Sequence, residues 1–519
     1  MNTTHAKQAR KIGAIIFFIF LCSYCYFAQP VSNSNSVSRI GQALAIVQDG
    51  TLKIDGFQKA TSDKVFFKGH YYPDKAPGLT FAALPFTAAA YQLIRLFDND
   101  IEWIKIDPEK SSIRLTFKFK FVTYVSTIMT SGLMTAITGT VLYFLALRLG
   151  ASIAGAIFAT LTFGLATPAW GWATAFFGHA MTGSCLFLAF AAICYLKQSR
   201  PNKLGNTLFG FFSGSLLAWA VVVEYPSVFS STIIAAFGII TVLAWERRRM
   251  VPVLAGALIG SMIFIAPLLV YHAIAFGSLF HVGYQETQIF DGLKQGIVGI
   301  TYPKITVLYQ LLFSQYRGIF WVSPILLVTP IAFYQALRLP KFRKIAVTAA
   351  LIPVYYFLMN SAYNYWDGVW STGPRHVTPM LPFVCLPIAQ LWTRAGSRFK
   401  TALLALFGLS FIISLICVSV TMASPNSYAN PLFDFLIPKF LAGRIRSFVN
   451  LYPKTHWGLL TLLPLLLIQG LGIRYIVRIF KNTNLNKPDP DPPKAEIKLP
   501  IRHKGTKRDP GSIPGASPS

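Results

Sequence analysis

The sequence predicts an all-α polytopic membrane protein of about twelve or thirteen transmembrane helices, with a long first extracytoplasmic loop. Three observations predict it. Of 519 residues, 54% are hydrophobic and 13% charged, and the mean hydropathy is +0.51, too apolar for an ordinary soluble domain. Many separate apolar runs reach the roughly 20 residues that span a bilayer. The net charge of +28 sits in short basic clusters between those runs, the pattern of cytoplasmic loops and not of a nucleic-acid surface. Such a chain partners the lipid bilayer and no nucleic acid.

Lys7, Arg10 and Lys11 precede an apolar run from Ile12 to about Ala28. Without a small-residue cleavage site, this run reads as an uncleaved first helix with a cytoplasmic N-terminus, residues 1–29. Residues 30–120 follow as an extracytoplasmic loop. In it Ile40, Ala43, Leu44 and Val47 recur at helical spacing, which predicts a helix along the membrane surface. The apolar stretch 79–97 is assigned as a re-entrant or interfacial helix. Were it to cross like the first run, every later basic cluster would face outward.

Further spans are expected at 121–147, 151–167, 178–196, 207–223, 229–245, 251–271, 319–337, 345–360, 377–393, 401–422 and 457–477. The basic connections Arg148, Lys197–Lys203, Arg247–Arg249, Arg338–Lys344 and Arg394–Lys400, with the tail from Arg478, fall on every second connection, so all are assigned to the cytoplasm. This divides the remaining chain into a multi-helix core, 121–400, C-terminal helices, 401–480, and a disordered basic cytoplasmic tail, 481–519. The six cysteines all lie in apolar runs, so no disulfide framework is implied, and Cys22 and Cys25 read as structural.

Polar residues of unusual type collect in the outer loops. The densest group is GHYYPDKAPG, Gly69–Gly78, where His70, Tyr72, Asp74 and Lys75 stand among prolines that disfavour helix. A turn of this kind can hold a base beside a phosphate-binding cation, or it can be a solvated turn before a helix. Asp55, Asp63 and Asp74 are candidate catalytic carboxylates, because transfer to a hydroxyl needs a group that takes the acceptor proton. A carboxylate could also hold a divalent metal, Mg or Mn, against a phosphate leaving group. The bland alternative is a set of solvated carboxylates with adjacent lysine countercharges.

His179 follows the aromatic stretch TPAWGWATAFFGHA at a membrane boundary, where an ionisable group usually has a partner or a task. Glu224, in VVVEYPS, has the same standing. Arg317 is an isolated outer cation whose guanidinium could pair with phosphate oxygens. The loop SAYNYWDGVWSTGPRH places Asp367, Arg375 and His376 before a helix start, which fits either an anion site or a belt with snorkelling cations. No phosphate-binding Gly-Lys loop, zinc-binding helix or dinucleotide fingerprint competes.

Three blocks, Asp49–Gly78, Leu165–Ala180 and Tyr365–Phe383, give the chain a resemblance to the GT-C superfamily of polytopic glycosyltransferases. The layout is similar to bacterial protein mannosyltransferases and the lipid A aminoarabinose transferase, many of which carry a G..Y..KPPL-like turn that GHYYPDKAPG resembles. The resemblance implies a polyprenyl-phosphate-linked sugar donor, an acidic base in the first outer loop, cations on the lipid phosphate, and a protein, lipid or glycan acceptor. In those relatives an Asp-Glu pair follows the first helix. Here the chain reads SNSNSVSRIGQAL, with Arg39 near the place of the pair's downstream tyrosine, so the role of base passes to Asp55, Asp63 or Asp74. The expected location is a bacterial inner membrane. A flippase of lipid-linked saccharides and a non-catalytic binder of them are the alternatives, the first weakened by the lack of an internal repeat.

Overall fold

Helices form where the apolar runs predicted them. The structure is a computed structural model that describes residues 3–27, 29, 33–107, 112–198, 202–286, 291–447 and 457–481. The expected tail beyond 481 lies outside the described residues. Among the described residues, eight helices are long and apolar enough to cross a bilayer, from Ala6–Phe27 near the N-terminus to Gly458–Phe480. Shorter apolar helices, Ile153–Leu165, Ser227–Leu243 and Pro324–Leu337, coincide with three further expected spans, and Leu381–Arg394 with a fourth. The protein is thus an all-α polytopic membrane protein with very little sheet.

Small residues let two of these helices approach at backbone distance. In Lys203–Val223, a side-chain carbon on Gly210 or Gly214 would come within 2.0 and 2.1 Å of the carbonyls of Val253 and Ala257. In Arg247–Phe276, Gly256 and Gly260 meet the carbonyls of Thr207 and Phe211 in the same way. The two Gly-x-x-x-Gly repeats therefore face each other, the arrangement that packs membrane helices where no hydrophobic driving force distinguishes protein from lipid.

The first outer loop is built from local signals. Helix α2 (Ser34–Asp49) starts at Asn33, whose side-chain oxygen accepts from the Ser36 N–H at 2.8 Å, and stops at Gly50, left-handed at φ 63°. Its stretch from Asn35 to Ala45 is buried all round, so the expected surface helix is an internal element packed on α3 (Gly78–Arg95). Between them, strand β1 (Lys64–Phe67) pairs with β2 (His70–Pro73) around Lys68 and Gly69, at φ 48° and 85°. Two successive positive φ values make the tight turn that matches strand twist. A second hairpin pairs β3 (Ile104–Asp107) with β4 (Ser112–Leu115).

The stretch 79–97 is helical as α3, and its start explains why the preceding turn ends in glycine. A side-chain carbon on Gly78 would lie 2.5 Å from the backbone of Val222 and 2.6 Å from the Val223 nitrogen. Gly78 thus lets the polar turn dock on the end of the helix that leads into Glu224.

Candidate functional site

The site grows from the turn after β2. Asp74 is fully buried, and its Oδ2 accepts from Lys75 Nζ at 2.6 Å, while its Oδ1 has no hydrogen-bond partner. Asp63 reaches the same ammonium from the start of β1, with Oδ2 at 3.5 Å. Its turn is held to the start of α2, because Thr61 Oγ1 donates to the Ser34 carbonyl and accepts from the Asp63 N–H. Lys75 Nζ also lies 5.1 Å from the centre of the Tyr284 ring. No group of three or more His, Cys, Asp or Glu converges as metal ligands among the described residues; Asp63 and Asp74 converge on Lys75 instead.

Burial without full pairing sets the electrostatics of this triad. Desolvation pushes the Asp74 carboxyl up to about 6, against the opposing pull of Lys75. Burial by itself would lower Lys75, but the charges of Asp63 and Asp74 outweigh it, and the ammonium is held above its ordinary range. The sign for stability follows. Since Asp74 titrates in the fold above its ordinary value of 3.8, its proton contributes stability that is full below 3.8 and lost as pH rises through about 6. At neutral pH the ionised carboxylate depends on Lys75. We expect the pH profile of the protein's activity to carry a step near 6, with activity falling on the acid side, and Asp74→Asn to remove that step. A profile unchanged by Asp74→Asn would show that this group does not govern the site.

A second group converges from the other end of the chain. The short turn Arg375–Met380 brings Arg375 over the Phe177 ring at 5.2 Å and sets the His376 ring 5.2 Å from His179 and 5.3 Å from Tyr363. Among the described residues Arg375 has no ion-pair or side-chain hydrogen-bond partner, and its Nε and the Nε2 of His376 are buried without one. Burial, then the charges of Arg375 and Lys75, hold His376 well below its ordinary value, so the imidazole is neutral. His179 Nδ1 lies 3.6 Å from Glu224 Oε1, and Arg39 Nη2 lies 3.7 Å from the same oxygen. Desolvation raises Glu224, against the charges of Arg39, Arg375 and Lys75.

These groups line two adjoining cavities. The first, about 350 Å³, is the more polar of the two and is lined by Asp63, Lys75, Arg375, Asn33, Asn35 and Trp370 among others. The second, about 320 Å³, is mostly apolar and is walled by Tyr225, Phe229, Val298, Tyr356 and Met359, with His179 and Glu224 among its polar residues. Tyr363 and His376 line both.

Several of the expected site residues stand apart. Asp55 and His70 form a half-exposed pair at 2.8 Å; Asp55 also accepts from the Tyr71 N–H, and His70 Nε2 lies 2.9 Å from Lys53, so neither reaches a cavity. Tyr72 is buried in an apolar cluster with Val65, Tyr271 and Phe276. Arg317 is fully buried and spends its donors on backbone: Nε on the Asp367 carbonyl, Nη1 on Tyr316 and Nη2 on Val369, at 2.8, 3.2 and 3.0 Å. Asp367 accepts from the Tyr316 hydroxyl and the Val369 N–H. Both act as loop braces: three Arg317 donors go to backbone carbonyls, both Asp367 oxygens accept within the loop, and neither residue lines either cavity.

That brace has a purpose one step away. It holds Gly368 and Val369 in the left-handed region, φ 72° and 55°, the second rare for a β-branched residue. The stem of Arg375 then packs on Gly368, where an added side-chain carbon would lie 2.9 Å from Arg375 Nε. Gly368→Ala combines about 1 kcal/mol or more of backbone strain with a displaced guanidinium. It is expected to weaken anion binding about tenfold with little loss of thermal stability; unchanged anion binding would free Arg375 from this dependence.

Residues without an evident sequence signal complete the site. Asn35, Tyr284, Tyr363 and Trp370 are unremarkable polar or aromatic loop residues until the chain folds. Arg39 did carry a signal, a cation inside an apolar helical pattern. Its Nη1 donates to the Ala76 carbonyl at 2.7 Å and its Nε to Asn35 Oδ1 at 3.1 Å, so it ties α2, the Lys75 turn and Glu224 together.

No protein-family model and no curated protein matches the sequence. Among solved structures the chain is similar to ArnT from Cupriavidus metallidurans bound to undecaprenyl phosphate, with a TM-score of 0.50 and 13% identity over 92% of this chain and 77% of that one. The apo state of that protein gives 0.49 and 12%, over 92% and 76%. The apo Archaeoglobus fulgidus oligosaccharyltransferase gives 0.43 and 10%, over 87% and 60%. The likeness to the ArnT complex shows a shared fold.

Proposed function

We propose that the protein is a membrane glycosyltransferase that transfers a sugar from a polyprenyl-phosphate donor to an acceptor on the extracytoplasmic face of a bacterial inner membrane. One observation carries the reading: a polar cavity holding a carboxylate and two cations adjoins an apolar one, and Tyr363 and His376 form their common wall. A lipid-linked sugar phosphate has the same order of chemistry. Its apolar chain suits the second cavity and its sugar the first, which leaves the phosphate at the junction. The fold it shares with a protein solved in complex with undecaprenyl phosphate is consistent with this.

The chemistry follows from what each side chain can do. Lys75 and Arg375 hold the phosphate, and they stabilise the charge that develops as the bond from the anomeric carbon to phosphate oxygen breaks. Asp63 lines the polar cavity, and it takes the acceptor proton as the hydroxyl oxygen bonds to that carbon. The polyprenyl phosphate leaves with the electron pair. Asp74 holds Lys75 in place from below, His376 presents a neutral imidazole to the phosphate, and Arg39, Glu224 and His179 set the wall behind.

The test is release of bare polyprenyl phosphate from radiolabelled polyprenyl-phosphate sugars by the full-length protein in nanodiscs, with and without Mg or Mn. Lys75→Met and Arg375→Met are each expected to lower kcat/KM by about 10- to 100-fold, the worth of a charge-assisted hydrogen bond to phosphate. Donor binding without release from any donor would sink the enzyme reading. Flux of the lipid across liposomes would then separate a flippase from a passive binder.

A further inference from the structure

The outer part of the polar cavity has a lining that the donor phosphate does not use. Asn33 spends its side-chain oxygen on the Ser36 N–H, and Asn35 spends its own on Arg39 Nε. Each amide is thereby oriented, and its NH₂ group is left with no partner among the described residues. Asn35 is itself buried, 7% exposed. Beside them stand Ser34 and Ser62, hydroxyls 2.8 Å apart. Trp370 lines the same cavity yet is 49% exposed, a large indole face kept in water. It follows directly on Val369, whose carbonyl accepts from Arg317, so the backbone that carries the indole is held.

Oriented amide donors, hydroxyls and an open indole, with no unpaired charge among them, match one ligand chemistry. A sugar ring offers hydroxyl oxygens to the amides and an apolar C–H face to the indole. A cationic ligand would need an unpaired carboxylate, and Asp63 is engaged by Lys75. We infer that Trp370, Asn33 and Asn35 form a saccharide subsite at the mouth of the polar cavity, and that it receives the acceptor, a neutral glycan whose hydroxyl is presented to Asp63. This rests on the transferase reading for the word acceptor; the subsite itself does not. The donor enters from the apolar side, past Tyr363 and His376, whereas Trp370 lines only the polar cavity. A ring held between the indole and two oriented amides loses little further freedom on reacting, which is where such a subsite contributes to rate.

The test reads binding without turnover. Full-length protein in nanodiscs is titrated with neutral methyl glycosides and disaccharides of the common hexoses, followed by saturation-transfer NMR, with an uncharged serine/threonine tetrapeptide as the comparison ligand. At least one saccharide is expected to bind in the millimolar range, and the peptide is not. Trp370→Ala is expected to weaken that binding at least tenfold, and Trp370→Phe, which keeps a ring face, no more than about threefold. Asn33→Ser keeps the helix-capping oxygen but removes the amide donor, and should cost about three- to tenfold. Affinity for bare polyprenyl phosphate should stay within twofold in all three variants. No saccharide binding at about 50 mM, equal binding by Trp370→Ala, or binding of the peptide in its place overturns the subsite. Displacement of the saccharide by polyprenyl-phosphate sugar, but not by bare polyprenyl phosphate, would assign it to the donor's sugar and overturn the acceptor claim. Saccharide binding with no transfer from any donor would instead sink the transferase reading and leave the subsite standing.

Discussion

Asp63→Asn is expected to lower sugar transfer by a factor of about 10² to 10⁴, the usual contribution of a positioned general base. Of the three carboxylates proposed from the sequence, Asp63 is the one that lines the polar cavity. Asp74 lies beneath it, fully buried, and Asp55 is taken up by His70 and the Tyr71 N–H. Asparagine keeps the shape of the side chain and can still accept from Lys75 Nζ, so the fold has no reason to change. The expected signature is therefore a fall in kcat with donor KM nearly constant, and an unchanged thermal transition. Asp55→Asn is expected to leave both parameters within twofold, since nothing connects that residue to the cavities. Wild-type rates in Asp63→Asn would move the base elsewhere, with Glu224 the next carboxylate to examine because it lines the adjoining cavity.

Arg317→Met is expected to unfix the loop that carries Trp370 and supports Arg375. The substitution deletes donors to three carbonyls in a fully buried place, and each orphaned group costs about 1–3 kcal/mol. Relief from burying the guanidinium offsets part of this, so a net local cost of about 3 kcal/mol is expected. Val369 is held at φ 55° by these bonds together with Asp367 Oδ1, and a β-branched residue does not stay there unaided. Hydrogen exchange at Gly368–Trp370 should accelerate about 100-fold, and transfer should fall with it, while the membrane helices keep their protection. Arg317→Lys is expected to behave almost as badly, because one ammonium cannot serve three diverging carbonyls. Slow exchange at Val369 in Arg317→Met would show that the loop stands without this brace.

Much of the molecule was legible before folding, and the reason is local. Where the backbone must satisfy itself away from water, twenty apolar residues in a row admit little besides a helix, so composition alone locates the spans. The turn GHYYPDKAPG could also be marked, because glycine and proline constrain φ regardless of surroundings. Its lysine lies in the polar cavity, but its histidine and Tyr72 do not, since a hairpin sorts neighbouring residues by face, and no periodic pattern announces a four-residue strand. Arg317 illustrates the limit from the other side. An isolated outer arginine reads as an anion ligand, and only the folded loop supplies the three carbonyls to which it donates.

The sequence by itself determined an all-α membrane protein, the positions of most of its helices and the loops that carry its candidate site residues, because those depend on hydropathy and turn residues that act over a few positions. Only the tertiary structure decided that Lys75 meets Asp63 and Asp74, that Arg375 has no ion-pair partner among the described residues, and that Tyr363 and His376 divide a polar cavity from an apolar one. A charge carries no record in its neighbours along the chain of which distant group will neutralise it. That is set by how helices pack, and here by close contacts such as Gly78 against Val222 and Val223, which bring the Lys75 turn against the helix end that leads into Glu224.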